Sequence, residues 1–252
     1  MLDKKNSIEL SNIELSVVVP VFNEVDNVEP LILEIQATLE NIIPYEMIFI
    51  DDCSSDGTLN KLVQLKSEIE NLRVLTHNLR SGQSAAVRSG VKAARSILVV
   101  TLDGDGQNNP SDILNLLAAY EKHVGKTKNI MICGQRAERK DSFNKRFSSK
   151  IANAIRSSLL GDLTMDSGCG LKLFRVTDFM DLPSFDHMHR FLPALMIRSG
   201  GEVFPIKVSH RSRERGKSKY GVFDRLWVGI FDLFGMVWLR CRPINPEVKE
   251  PE

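Results

Sequence analysis

Leu98-Val-Val-Thr-Leu-Asp103-Gly-Asp105-Gly-Gln107-Asn-Asn-Pro110 is the stretch from which the rest of the chain is read. An apolar, β-branched run enters two carboxylates one residue apart, then a polar turn, then a proline that opens a helical pattern. Such a run predicts a strand buried on both faces, over Ser96 to Asp103. Its polar end then falls at the carboxyl edge of a parallel sheet, where α/β proteins place their ligands. Side chains alternate along a strand, so Asp103 and Asp105 are expected to point the same way. Gly104 and Gly106 let the backbone turn, and Gln107 adds a neutral oxygen. Asp103, Asp105 and Gln107 together form an all-oxygen set suited to Mg²⁺ or Mn²⁺ shared with a substrate phosphate.

On either side the pattern alternates strand and helix. Ser16 to Phe22 reads as a buried strand ended by Asn23-Glu24, and Asn27 to Leu39 as a helix presenting Leu31, Ile35 and Leu39. Glu46 to Asp52 is a second strand ending in carboxylates, and Ser55-Asp-Gly-Thr58 turns it into a helix carrying Leu62, Leu65 and Ile69. A third strand, Leu72 to Thr76, leads through a polar turn to the helix Gln83 to Ala94. Its Ala, Ser and Gly residues allow close approach to a sheet. Asp112 to Tyr120 is helical, and Ile130 to Cys133 is a strand that ends at Gly134-Gln-Arg136. This alternation predicts an α/β fold with a doubly wound, mostly parallel sheet and right-handed crossovers. The first strand–helix turn, Pro20 to Glu24, has no G-x-G-x-x-G, which argues against a nicotinamide enzyme.

Composition bounds the function. The chain of 252 residues is 42% hydrophobic and 26% charged with a net charge of +1, so it is globular and lacks the basic footprint of a nucleic-acid binder. Cys53, Cys133, Cys169 and Cys241 lie far apart, as reduced thiols of a cytosol-facing protein do. The amino terminus lacks the apolar core of a signal peptide, and no run is long and apolar enough to span a bilayer. Two basic clusters stand out: Arg139 to Lys150, with Ser148 and Ser149 among the charges, and His210 to Tyr220. Each mixes cations with small hydroxyl or glycine residues, as phosphate seats do. Between them lies a tight glycine-rich loop, Asp166 to Gly170, and Val203 to Ser209 is a late strand.

The segment Phe223 to Leu239 predicts an amphipathic helix. At 100° per residue Leu226, Trp227, Ile230, Phe231, Leu233, Phe234, Val237 and Trp238 occupy one half, with Asp224, Arg225 and Asp232 opposite. Asp232 would stand deep in hydrocarbon in a spanning helix, so the expectation is a helix lying in the membrane interface. Packing on its own domain or on a sister subunit is the alternative. The expected organisation is an amino-terminal extension over 1–14, the α/β domain over 15–221, the interfacial helix over 222–242 and a polar tail over 243–252.

Five segments in this order resemble the inverting family 2 glycosyltransferases of GT-A fold, and within them the dolichyl and polyprenyl-phosphate sugar transferases. They are Val18 to Glu24, Asp51 to Thr58, Asp103 to Gln107, Gly134 to Arg136 and Arg213 to Lys219. The resemblance implies a donor nucleotide sugar held by Pro20, Glu24, Asp51, Asp52 and Asp103. It implies a metal on Asp105, Gln107 and Asp103, and an acceptor phosphate on Arg136, Ser149, Arg213 and Lys219, with Lys145 or Arg146 as a further basic partner. Asp103, Asp105, Arg136 and Arg213 are the catalytic candidates. The implied reaction moves a sugar onto a polyprenyl phosphate at the cytoplasmic membrane face, for envelope glycan or glycolipid synthesis, with the membrane and a protein partner or second copy as associates. The D-x-D-x-Q form is that of the lipid-phosphate branch, whereas the spanning helices common in relatives are not expected here. The competing readings are a transferase acting on a sugar hydroxyl or glycolipid and a non-catalytic membrane adaptor on this fold.

Overall fold

The computed structural model describes residues 13–127, 129–136, 166–212 and 222–242. The elements follow the expected alternation: β1 (Leu15–Val21), α1 (Val25–Leu39), β2 (Tyr45–Asp51), α2 (Thr58–Glu68), β3 (Leu72–Thr76), α3 (Gln83–Ala93), β4 (Leu98–Thr101), α4 (Asp112–His123) and β5 (Ile130–Arg136). Then come β6 (Lys172–Arg175), α5 (Val176–Met180), a 3₁₀ turn (Met188–Arg190), α6 (Leu192–Arg198), β7 (Glu202–Val208) and α7 (Val222–Arg240).

The sheet order is β3-β2-β1-β4-β6-β5-β7. β1 pairs in parallel with β2 and β4, β2 with β3, and β5 with β7, whereas β6 lies antiparallel between β4 and β5. The sheet is therefore mixed and mostly parallel. The inserted strand has no counterpart in the sequence reading, because four residues are too few to display a period.

Period-two alternation divides the core between the two faces of this sheet. Leu15, Val17, Val19 and Val21 of β1, with Met47 and Phe49 of β2, meet α1, α2 and α4 on one face. Val18, Ile48 and Ile50 turn to the other face, where α3, α5, α6 and α7 cover them together with Val99 and Phe174. α3 lies close to the sheet because it is small-sided. A Cβ on Gly90 would come within 2.5 Å of Val18 Cγ1 and 2.6 Å of Ile50 Cδ1. The polar pair Ser16 and Glu46 in these buried strands is satisfied in place. Ser16 Oγ donates to Glu46 Oε1 at 2.6 Å, and Arg73 Nη1 reaches Glu46 Oε2 at 2.6 Å.

α7 corrects the expected division into an apolar and a polar half. Met236 is 2% exposed and joins the second core, with Leu233, Val237 and Leu239 packed beside it. Asp232, expected on the solvent side, faces the domain and pairs with His187 at 3.2 Å. Arg198 ties down the helix end by donating from Nε to Leu239 O at 2.8 Å and from Nη2 to Arg242 O at 2.6 Å. Among the described side chains of this helix, Phe231, Phe234 and Trp238 form an outer ridge, 73%, 70% and 63% exposed, at helical spacings of three and four. Among the described residues, no helix is long and apolar enough to cross a membrane. The four cysteines are free thiols.

Candidate active site

β4 ends at Thr101, so Asp103 and Asp105 stand in the turn beyond it, and strand alternation is not what brings them together. The turn itself does so. Asp103 N donates to Asn108 Oδ1 at 2.9 Å, and Gln107 N donates to Asp105 Oδ1 at 3.1 Å. Gly104 lets this turn press against β1, since a Cβ there would lie 2.5 Å from Val21 Cγ1 and 2.8 Å from Pro20 O. Both carboxylates thereby line one cavity of about 480 Å³ at the carboxyl edge of the parallel strands. Gln107 is not among the lining residues. Its side-chain amide donates to Arg211 O at 3.5 Å, which links the turn to the start of the basic run.

One wall of the cavity is built by the loops after β1 and β2. Asn23 and Cys53 adopt left-handed φ values of 54° and 61° there. Asn23 N donates to Ser54 Oγ at 2.8 Å, Ser55 N to Asn23 Oδ1 at 2.7 Å, and Glu24 N to Thr58 Oγ1 at 2.9 Å, so the two loops form one unit. Pro20, Glu24 and Asp52 line the cavity as expected of them, whereas Asp51 does not. Asp51 is buried and accepts hydrogen bonds from Ser54 N at 3.1 Å and Thr76 Oγ1 at 3.4 Å, so its carboxylate holds the loop from beneath.

Asp52 accepts from Ser81 N and Gly82 N, each at 2.8 Å, and lies 2.8 Å from His77 Nδ1. Burial alone would raise its carboxyl, but His77 and the two backbone N–H groups outweigh that and hold it below the ordinary carboxylate range. Arg80 lies over the Phe22 ring at 4.2 Å, and both line the cavity.

The opposite wall comes from Arg136 of β5, Lys172 of β6 and the glycine-rich stretch just before β6. Thr101 Oγ1 donates to Gly170 O at 2.6 Å, which seats the glycine-rich loop against the carboxylate turn. Arg136 sends Nε and Nη2 to the two oxygens of Asp166, each at 2.5 Å, and its backbone N donates to Oδ2 at 3.3 Å. That fork leaves Nη1 for another partner. Lys172 Nζ donates to Cys169 O inside the same wall. Asp103 Oδ1 accepts from Gln83 Nε2 at 2.8 Å. Burial, and then the charge of Asp105, push the Asp103 carboxyl up to about 6, although Lys172, Arg136 and Gln83 pull the other way. The last contributors are His189 and Arg190 of the 3₁₀ turn, both lining the cavity.

The structure thus brings Pro20, Glu24, Asp52, Asp103, Asp105 and Arg136 to one cavity, whereas Asp51 and Gln107 are not among its lining residues. Lys145, Arg146, Ser149, Arg213 and Lys219 lie outside the described residues. Arg80, Gln83, Gly170, Lys172, His189 and Arg190 were not anticipated. Only Gly170 carried a signal, in the glycine-rich run Asp166 to Gly170; the others are single polar residues without a motif.

Residues 16–182 match the family model for glycosyl transferase family 2. The chain belongs to that family. The transferase is 33% identical over 242 residues to the dodecaprenyl-phosphate galacturonate synthase of Rhizobium johnstonii, covering 94% of this chain and 70% of that protein. It is 32% identical over 223 residues to the undecaprenyl-phosphate 4-deoxy-4-formamido-L-arabinose transferase of Photorhabdus laumondii, covering 87% of this chain and 66% of that protein. Among solved structures it resembles the glucosyl-3-phosphoglycerate synthase of Mycobacterium tuberculosis with Mg²⁺ and uridine diphosphate, at a TM-score of 0.65 and 15% identity over 91% of this chain and 79% of that one. A second structure of that synthase, with Mn²⁺, uridine diphosphate and glucosyl-3-phosphoglycerate, also gives 0.65 at 16% identity, covering 91% and 80% of the two chains. The shared architecture is the GT-A fold of nucleotide-sugar transferases.

Proposed function

We propose that this glycosyltransferase moves a sugar from a nucleoside diphosphate sugar to a polyprenyl phosphate, with inversion at the sugar's C1, at the cytoplasmic face of a membrane. The observation that carries the reading is that Asp52, Asp103, Asp105 and Arg136 line a single cavity. A nucleotide-holding loop, a carboxylate pair and a cation thus address one volume. The relatives named above act, by name, on dodecaprenyl and undecaprenyl phosphates, which supports the acceptor class.

Asp103 and Asp105 fit a divalent cation. Burial and then the charge of Asp105 raise Asp103, and one positive charge between the two carboxylates would offset both. Among the described residues no third His, Cys, Asp or Glu joins them, which leaves coordination positions for the donor diphosphate and water, as Mg²⁺ and Mn²⁺ use. When bound, the ion neutralises charge on the departing diphosphate. Gln107 steadies Asp105 through its backbone N–H, and Asp51 steadies the Asp52 loop from below. Phe22 and Arg80 offer a flat cationic platform to the nucleobase.

The acceptor is a phosphate monoester, already anionic near neutral pH, so its oxygen attacks C1 without a strong protein base. The new C1–O bond forms as the bond to the diphosphate breaks, and the electron pair leaves with the diphosphate. Arg136 aims the acceptor with the donors that Asp166 does not use, and Ser149, Arg213, Lys219 and Lys145 or Arg146 complete the seat. Catalysis rests on positioning and electrostatics. The apolar ridge of α7, followed by the exposed Arg240 and Arg242, suits the headgroup boundary of an anionic leaflet, where the lipid acceptor resides.

The test is a donor screen in detergent with undecaprenyl phosphate and Mn²⁺, read by product mass. A lipid phosphate heavier by one sugar residue is expected. Transfer to sugar hydroxyls with none to lipid phosphate would overturn the reading.

A further inference from the structure

Four cations line the cavity, and three are committed. Arg80 lies over Phe22, Arg136 is forked onto Asp166, and Lys172 is bonded to Cys169 O beside Asp103. Arg190 differs. It stands on the 3₁₀ turn with its backbone N–H bonded to His187 O, but among the described residues its guanidinium makes no hydrogen bond and no ion pair. Asp232 of α7 lies within its electrostatic reach, yet that carboxylate is paired with His187. A partly buried guanidinium facing a cavity with its planar fork unspent matches a carboxylate or phosphate.

Its neighbour His189 sharpens the match. Ser84 Oγ accepts the His189 backbone N–H at 3.2 Å and lies 2.7 Å from Nδ1. Ser84 Oγ thereby holds the ring through Nδ1, and Nε2 is its other polar atom. Burial, then the charges of Lys172, Arg190 and His187, push the His189 pKa down to about 3, so the ring stays neutral. Ser84 follows Gln83, which holds Asp103, and the charge of Lys172 acts on both Asp103 and His189. The imidazole and the guanidinium therefore line the same cavity as the carboxylate pair.

Resting on the donor-cavity reading above, we infer that Arg190, beside the His189 ring, forms an anion-reading subsite selecting a donor whose sugar bears a carboxylate, a nucleoside diphosphate hexuronate. A sugar carboxylate accepts two parallel N–H bonds from Arg190, and a ring hydroxyl, which can donate or accept, pairs with His189. A neutral hexose leaves the partly buried guanidinium without a partner, which penalises it.

Calorimetry on the full chain with Mn²⁺ tests this with UDP, UDP-galactose and UDP-galacturonate, and with GDP, GDP-mannose and GDP-mannuronate. Wild type is expected to favour the uronate over the matching hexose by at least about tenfold. Arg190→Gln should erase that preference and leave affinity for the bare nucleoside diphosphate within about twofold, with the melting temperature confirming a folded protein. Arg190→Lys, which keeps the charge but loses the fork, should fall between. Equal affinity of wild type for hexose and uronate would overturn the inference and leave the donor cavity standing. Equal loss of bare nucleotide and uronate in Arg190→Gln would reassign the residue to the diphosphate. Failure of wild type to bind either nucleoside diphosphate would remove the donor cavity itself, and the inference with it.

Discussion

Gly170 stands so close to Asp103 that a Cβ on it would overlap all three heavy atoms of the carboxyl group. Two segments far apart in the chain are thus fitted backbone to side chain, with Thr101 Oγ1 bonded to Gly170 O as the clasp at 2.6 Å. Gly170→Ala should displace Asp103, cost about 1–3 kcal/mol of stability through overpacking, and weaken Mn²⁺-dependent nucleotide binding. Denaturant unfolding and a Mn²⁺ titration read the two effects separately. Wild-type metal affinity in that variant would show that the contact only packs.

Asp103 gives a signed pH prediction for the metal-free protein. Its carboxyl, pushed up to about 6 from 3.8, still holds a proton in the folded chain where the unfolded chain has released it. Stability therefore falls as pH rises across that window, and the penalty is complete above it. Asp103→Asn should make the metal-free protein more stable near pH 7 by about 1–3 kcal/mol, with the gain gone near pH 3.5. Urea unfolding at the two pH values decides it, and a gain that persists at the acid end would implicate another cause.

His189 works in the opposite direction. Its pKa, held down at about 3 against 6.5 unfolded, means that protons bind the unfolded chain first as pH drops. Stability from this site is whole above about pH 6.5 and drains below it. The His189 ring should show no titration by NMR between about pH 5 and 8. A midpoint near 6.5 would place it in water.

Metal removal is the direct test of the carboxylate pair. Excess chelator should abolish transfer, and Asp105→Asn should depress it by at least about a hundredfold while the melting temperature holds. Normal turnover in chelator would remove the ion from the reaction.

Arg136 and Asp166 act as a unit. Arg136→Ala should weaken use of lipid phosphate by about tenfold to a hundredfold and spare nucleotide affinity, since it deletes a charge-assisted bond worth roughly 1.5–3 kcal/mol. Asp166→Asn loosens the fork and should give a smaller loss of the same kind. Parallel losses of nucleotide binding would move Arg136 to the donor side.

Phe231→Asp with Phe234→Asp should end flotation with anionic liposomes and leave the fold unchanged, because both side chains are exposed. Removing all of α7 is a different experiment. Met236 and its neighbours close the second core, so truncation should destabilise the domain. A double variant that still floats would leave the ridge as ordinary surface.

The amino-acid sequence alone determined the alternation of strands and helices, because apolar periodicity and turn residues are local properties. It also placed Pro20, Glu24, Asp52, Asp103, Asp105 and Arg136 at one edge, since loops that follow parallel strands converge there whatever the rest of the chain does. Only the tertiary structure decided the rest. β6 exists because β4 and β5 each lack a partner on one side, and that demand is invisible in the four residues Lys172 to Arg175. Asp51 and Asp52 are adjacent carboxylates with opposite fates, one sealed beneath the loop and one at the cavity, because the turn at Cys53 takes a left-handed φ of 61°. Asp232 is polar on any helical wheel, but its surroundings depend on His187, 45 residues earlier by number, which no helical period encodes. His189 and Arg190 reached the cavity for the same reason: packing against α3 fixed where a short 3₁₀ turn points, and packing is a property of the assembled core.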